Sequence, residues 1–187
     1  ETGETEMVSV TSDGTQERGD TAYNSFPDIS DDGRFAVLNS WAPLDDPGGE
    51  SEYDQVYIRD REKGVTELVS PDFFIQSFSW YPSISGNGRR VAFVSKTYMI
   101  ISGEGNECQA SNFQECPHVY VRDMTTGTFE RVSVNSLGEQ AIDGYSGSSQ
   151  ISADGSAVVF SSGASNLVPG DTNNVCEYDS FGGADDN

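Results

Sequence analysis

Histidine and basic side chains are scarce in this chain. One histidine, His118, and ten Lys or Arg stand against 31 Asp or Glu, a formal charge of −21 over 187 residues. So few cations cannot neutralise many phosphates, which excludes nucleic acid and anionic membrane surfaces and leaves cations and basic partners. A Ser-His-Asp or Cys-His arrangement would have to be built around His118 alone. Following Pro117 at the start of a strand-like run, that residue reads instead as a polar group at a strand entrance. No stretch approaches the roughly 18 apolar residues of a membrane helix, so no membrane insertion is expected. Residues Glu1 to Glu6 lack the basic region and apolar core of a signal peptide. Apolar residues with a 3.6-residue period are also missing, so helix content is expected to be low.

Cysteine is sparse and odd in number. Cys108 and Cys116 lie eight apart in an Asn/Gln/Ser-rich stretch and are expected to close a small disulfide ring, while Cys176 has no evident partner. Two reduced thiols are the alternative, and a zinc site is poorly supported because His118 is the only nearby extra ligand. A disulfide implies an oxidising compartment, so an extracellular, cell-surface or periplasmic location is expected.

Aromatics are plentiful: ten Phe, eight Tyr and two Trp are too many for a chain kept disordered by its charge. Much of the sequence is repetition. Thr5-Glu6-Met7-Val8-Ser9 returns as Thr66-Glu67-Leu68-Val69-Ser70 and as Phe129-Glu130-Arg131-Val132-Ser133. The run from Pro27 to Ser40 returns from Pro82 to Ser95 and from Ser149 to Ser162. Val56-Tyr57-Ile58-Arg59-Asp60 returns as Val119-Tyr120-Val121-Arg122-Asp123. Each element is short, β-branched or aromatic, and alternates apolar with polar as a half-buried strand does. Asp32-Gly33, Asn87-Gly88 and Asp154-Gly155 separate two such runs, and Asx-Gly is a preferred hairpin pair because both residues tolerate positive φ. Arg61-Glu62-Lys63-Gly64 and Met124-Thr125-Thr126-Gly127 supply a second turn.

Every repeat thus reads as four strands: A and B flanking the Asx-Gly turn, C the VYxRD run and D the TExVS run. Four antiparallel strands in tandem describe an all-β chain of β-propeller blades. The S-x-DG-R-x-VAF-like core, the VYxRD run and the x-TG-x-x-ExVSV link resemble the TolB-like, PD40-type (WD40-like) propeller repeat over nearly the whole chain. That resemblance implies a propeller, commonly of six blades, in periplasmic, cell-surface or secreted proteins, acting as a scaffold for protein partners; the same blades also occur as domains of enzymes.

Residues 1–187 are expected to form a single array, with repeats at approximately 5–65, 66–128 and 129–187. The chain stops where a third VYxRD strand falls due, so the last repeat is expected to lack its C strand. Its B strand, Ala157 to Phe160, would then offer an open edge to the chain's continuation or to another molecule. Thr5 to Val10 is expected to serve as a D strand.

The A-B and C-D turns are short and the B-C and D-A connections long, so binding residues are expected at the long-loop end. Those six connections hold 19 of the 31 acids and only Arg18 and Lys96 as bases. In Pro169 to Asp179, the side chains of Asp171, Asn173, Glu177 and Asp179 are spaced to converge on Ca²⁺. The spacing is not that of an EF-hand, and a solvated acidic loop is an equal alternative; for Asp45 to Asp54 the solvated loop is preferred. Phe73, Phe74, Phe78, Trp80 and Tyr81 form an aromatic cluster read as sealing the gap between blades, with Trp41 and Tyr98 in similar roles, and stacking on a sugar or peptide as the other reading. Arg59 with Asp60, and Arg122 with Asp123, recur in register and point to a blade-stabilising ion pair or turn.

No catalytic residues are identified. The expected function is a non-catalytic extracellular or periplasmic scaffold that binds protein partners or self-associates, with calcium support. The alternative is the propeller domain of a larger secreted enzyme, a peptidase or glycan-degrading protein, whose catalytic residues lie elsewhere.

Overall fold

The structure is a computed structural model that describes residues 3–16, 24–45, 53–71, 78–97, 100–101, 116–142 and 144–171. Among them there is no helix, and ten strands form antiparallel sheets. The first sheet runs β1 (Asn24–Ile29), β2 (Phe35–Ser40), β3 (Gln55–Asp60), β4 (Val65–Leu68) in chain order. A second repeats that order with β5 (Ser79–Ile84), β6 (Arg90–Ser95), β7 (His118–Asp123) and β8 (Phe129–Arg131). A third pairs β9 (Ser146–Ile151) with β10 (Val158–Ser162). Two complete blades and an inner pair of strands therefore follow the order read from the repeats.

Burial explains why the B strands are apolar throughout. Ala36 to Ser40 in β2 and Val91 to Ser95 in β6 are buried at every position, because each strand has sheet neighbours on both edges and packed layers on both faces. The equally apolar β10 alternates between half-buried and exposed, with Val159 70% exposed. Between the first two blades lies the main core, where Val37, Ile58 and Val69 meet Ile84, Phe93 and Tyr120. Its burial joins blade to blade, at about 25 cal/mol per Å² of apolar surface removed from water.

The Ser-x-Asx-Gly turns work differently from the hairpin expected of Asx-Gly. Only the glycines, Gly33, Gly88 and Gly155, take positive φ (71°, 71° and 73°). Asp32, Asn87 and Asp154 act through their side chains: Asp32 Oδ1 accepts the Ser30 hydroxyl at 2.6 Å and the Arg34 amide at 2.9 Å, and the other two turns repeat this. The serine oxygen in turn accepts the amide five residues on, from Phe35, Arg90 or Ala157. This is a type I turn closed by a glycine bulge, which explains why serine recurs two residues before the Asx.

Thr5 to Val10 forms no strand, contrary to the sequence reading. A strand needs a hydrogen-bonded neighbour, and no C strand of the third blade lies among the described residues. The segment is held instead against the first blade. Thr66 Oγ1 donates to the Val10 carbonyl at 2.6 Å, Arg59 donates to the Thr11 carbonyl at 3.0 Å, and Arg61 pairs with Glu6 at 2.7 Å.

The VYxRD motif divides its labour. Asp60 and Asp123 cap the turns that follow them, accepting the amides of Glu62 and Lys63 and of Thr125 and Thr126. Arg122 donates to the carbonyls of Leu68 and Val69 at 2.7 and 2.8 Å, stitching β7 to the outer strand of the preceding blade. The aspartates do form ion pairs, but with Arg34 (2.7 Å), just before β2, and with Arg90 (3.8 Å), the first residue of β6, not with the adjacent arginine of the motif.

Candidate functional site at the loop mouth

Each inner strand carries the same irregularity. Phe26, Tyr81 and Ser148 occupy equivalent positions in β1, β5 and β9, with φ of 51°, 55° and 50°, and each sits where the register to the B strand shifts. Positive φ at a residue with a Cβ costs roughly 1–2 kcal/mol, so packing holds these bulges in place. All three lie at the end of the blades that carries the long connections.

The bulges place aromatic rings side by side across the blades. Phe26 meets Tyr81 edge-to-face with centroids 4.4 Å apart, Tyr81 is 6.4 Å from Trp80, and Trp80 Nε1 donates to the Tyr145 hydroxyl at 3.4 Å. The Lys96 ammonium lies 5.8 Å from the Trp80 ring. The strip thus bridges all three blades, as the sealing role requires, but its ends are open: Phe26 is 47% and Tyr145 40% exposed, and Trp41, just past β2, is 40% exposed. Phe78 packs on Tyr53; Phe73, Phe74 and Tyr98 lie outside the described residues. Phe26 and Tyr145 were missed in the sequence, although aligning Phe26-Pro27-Asp28 with Tyr81-Pro82-Ser83 would have placed Phe26 beside the cluster.

Polar groups support this end. Ser25 donates to Asn39 at 3.0 Å and Asn39 to Asp54 at 3.4 Å, and half-burial raises the Asp54 carboxyl despite the Asn39 bond that lowers it. The B strands end at Ser40, Ser95 and Ser162, whose hydroxyls accept the amides of Ala42, Thr97 and Ala164 and so turn the chain into the long loops.

His118 stands at a strand entrance as expected, being the first residue of β7. It is fully buried, its Nδ1 lies 3.0 Å from Ser133 Oγ, and burial together with the Arg131 charge lowers it to about 4, so the ring is neutral. Ser133 is also fully buried and accepts the Val119 amide. This serine–histidine pair therefore closes the start of β7 in the interior of the blade.

Of the expected calcium ligands, Asp171 is described, with its amide donating to the Val168 carbonyl at 3.1 Å, while Asn173, Glu177 and Asp179 lie outside the described residues. No group of three His, Cys, Asp or Glu side chains able to hold a metal occurs among the described residues. Cys116 is buried and disulfide-bonded; Cys108 and Cys176 both lie outside the described residues.

The opposite, tight-turn end holds a cleft of about 540 Å³ between the first and second blades. Phe35, Ile58, Val65 and Met124 give it an apolar floor, and Glu67 and Arg89 stand on its walls. Five of the ten basic side chains, Arg34, Arg61, Lys63, Arg89 and Arg90, lie in or directly beside the turns of this end.

With two four-stranded antiparallel blades and an inner pair in tandem, the described residues form a partial β-propeller. Solved structures with a similar fold include TolB from Acinetobacter baumannii, 19% identical over 74% of this chain and 26% of that one, with a TM-score of 0.44. A putative TolB from Agrobacterium tumefaciens is 18% identical over 78% and 44%, with a TM-score of 0.43. The β-propeller domain of the Trilobed protease from Pyrococcus furiosus is 13% identical over 75% and 34%, at 0.44. The chain spans less than half the length of each. No protein-family model and no curated protein matches it.

Proposed function

We propose that this chain is the partner-binding part of an extracytoplasmic, non-catalytic β-propeller, and that a protein partner docks at the loop mouth. The observation that carries this reading is the aromatic strip running Phe26, Tyr81, Trp80, Tyr145 across three blades with both ends open to solvent. Large rigid rings give contact area at low entropic cost and are enriched where protein interfaces concentrate their energy. The connections that join the strands at this end carry 19 of the 31 acids in the sequence, so the partner is basic or carries a basic patch, drawn in by long-range attraction. A non-catalytic role accords with a sole imidazole that is neutral and buried. An oxidising compartment accords with the bonded state of Cys116.

Photo-crosslinking tests this in the producing cell. A benzophenone side chain in place of Phe26 or Tyr145 is expected to trap one common partner, and the same group in place of Ala153, exposed in the tight turn of the third blade at the opposite end, is expected not to. Identical adducts from Ala153, or none from the mouth, would end the proposal.

A further inference from the structure

The cleft at the tight-turn end has a counterpart one blade earlier, and there it is filled. Arg61 lies between the N-terminal segment and the first blade, its Nε and Nη2 donating to Glu6 Oε2 at 2.9 and 2.7 Å and its Nη1 to the Gly33 carbonyl. The repeats map Glu6 onto Glu67, Gly33 onto Gly88 and Arg61 onto Met124. The backbone supports the match, because the Arg61 amide donates to the Arg34 carbonyl at 2.9 Å and the Met124 amide to the Arg89 carbonyl at 2.7 Å. Glu67, Gly88 and Met124 all line the cleft. The second site thus keeps the carboxylate and the carbonyl but has lost the guanidinium that joins them.

We propose that this cleft binds the guanidinium of an arginine side chain supplied by a basic partner. Glu67 accepts its N–H groups as Glu6 accepts those of Arg61, the Gly88 carbonyl accepts another, and Phe35, Val65 and Met124 pack along the aliphatic stem. Of the cations nearby, Arg122, whose charge acts on Glu67, gives its hydrogen bonds to the Leu68 and Val69 carbonyls and not to that carboxylate. Arg34 and Lys63 are engaged with Asp60 at 2.7 and 3.9 Å. Arg89 is exposed, and its equivalent, Arg34, stands beside the occupied site without displacing Arg61. A fixed planar fork suits arginine better than lysine at such a pair of acceptors. The site lies at the opposite end of the blades from the aromatic mouth and does not depend on it.

The test is a titration of the intact protein, labelled at its methionine methyl groups, with the tripeptide Gly-Arg-Gly and its uncharged citrulline analogue. A saturable shift of the Met124 methyl with the arginine peptide alone is expected. Glu67→Gln is expected to weaken binding about tenfold or more, the loss of charge-assisted hydrogen bonds. Met124→Arg places a tethered guanidinium in the site and is expected to abolish binding by calorimetry, while Arg89→Ser removes a like charge and is expected to tighten it. An equal response to citrulline, unchanged affinity in Glu67→Gln or Met124→Arg, or weaker binding in Arg89→Ser would overturn the proposal, the last by marking an anion site. Phe26→Ala and Tyr145→Ala leave this titration unchanged, so its failure is separable from failure at the mouth.

Discussion

The Asp31 amide donates to the Gly86 carbonyl at 2.9 Å, and the Gly86 amide donates in turn to the Ala153 carbonyl at 2.8 Å. Asp31, Gly86 and Ala153 are the same position in successive repeats, so one backbone hydrogen bond passes from blade to blade at the end of each inner strand. Three residues earlier the side chains make the reverse link: Asp28 Oδ2 accepts the Ile84 amide at 3.0 Å and Ser83 Oγ accepts the Ile151 amide at 3.2 Å. The backbone relay takes its donor from the earlier blade and the side-chain relay from the later one, so each seam is tied in both directions independently of its apolar core. Ser83 is the hinge of the second relay, because its hydroxyl also donates to Asp28 at 3.1 Å.

Ser83→Ala is therefore expected to destabilise the fold by about 1–3 kcal/mol, since it leaves the Ile151 amide and one Asp28 lone pair without a partner at a buried seam. Chemical denaturation reads the change. A loss no larger than a few tenths of a kcal/mol would mean that water replaces the hydroxyl and that the seam is not specified by this relay.

Gly88 meets two demands at once. Its φ is 71°, and a Cβ there would lie 2.3 Å from the Phe35 ring of the preceding blade, whereas Gly127, at φ 74°, has open space around it. Gly127→Ala is expected to cost about 1–2 kcal/mol of backbone strain. Gly88→Ala is expected to cost that plus roughly 1–3 kcal/mol of overpacking. Equal losses in the two variants would show that Phe35 yields freely and that the blades are loosely joined.

Blade order, strand content and both turns per repeat were legible in the sequence because they depend on local chemistry repeated in register. Ser30, Asp32 and Gly33 make their turn with one another, so the motif alone announces it. What the sequence did not show depends on the neighbour across a seam. Thr5 to Ser9 matches Thr66 to Ser70 at every position but Met7 against Leu68, yet it has no strand to pair with among the described residues. Arg59 and Arg122 look like partners of the adjacent aspartates, yet they reach carbonyls 48 and 53–54 residues away. The loop-mouth site was visible only in part, as the Trp80-Tyr81 pair, because Phe26 and Tyr145 join it through tertiary contact.

Acid sensitivity should trace to His118. Burial, then the Arg131 charge, lowers it from 6.5 to about 4, so the folded chain binds a proton less readily than the unfolded chain between these values. Stability from this group is complete above about pH 6.5 and falls as the pH drops towards 4, by about 3 kcal/mol in total. His118→Gln can still bond Ser133 but does not titrate, and is expected to flatten that part of the stability–pH curve relative to the parent protein. Parallel curves for parent and variant between pH 4 and 6.5 would refute the assignment.

Calcium is expected to bind through Asp171, Asn173, Glu177 and Asp179, where it would draw four oxygen-bearing side chains of one loop together and offset part of the −21 charge. Calorimetry should register binding heat, and the melting temperature should rise with calcium and fall with a chelator. Glu177→Gln and Asp179→Asn together should remove the effect. No heat and no change in melting at millimolar calcium would leave the loop as a solvated acidic segment.

The third blade makes the most testable statement about assembly. Among the described residues β10 pairs only with β9, whereas β2 and β6, its equivalents, are bonded on both edges. An apolar edge left unpaired among the described residues, with Val159 70% exposed, is a template for another strand. If a second molecule supplies that strand, amide exchange of Val158 to Phe160 slows as concentration rises, light scattering reports a mass above the 20.2 kDa monomer, and Val159→Lys reverses both. Residues of β2 and β6, already paired within their own blades, should show no such dependence. Protection of β10 that is strong but independent of concentration would place the covering strand in the same chain and refute self-association.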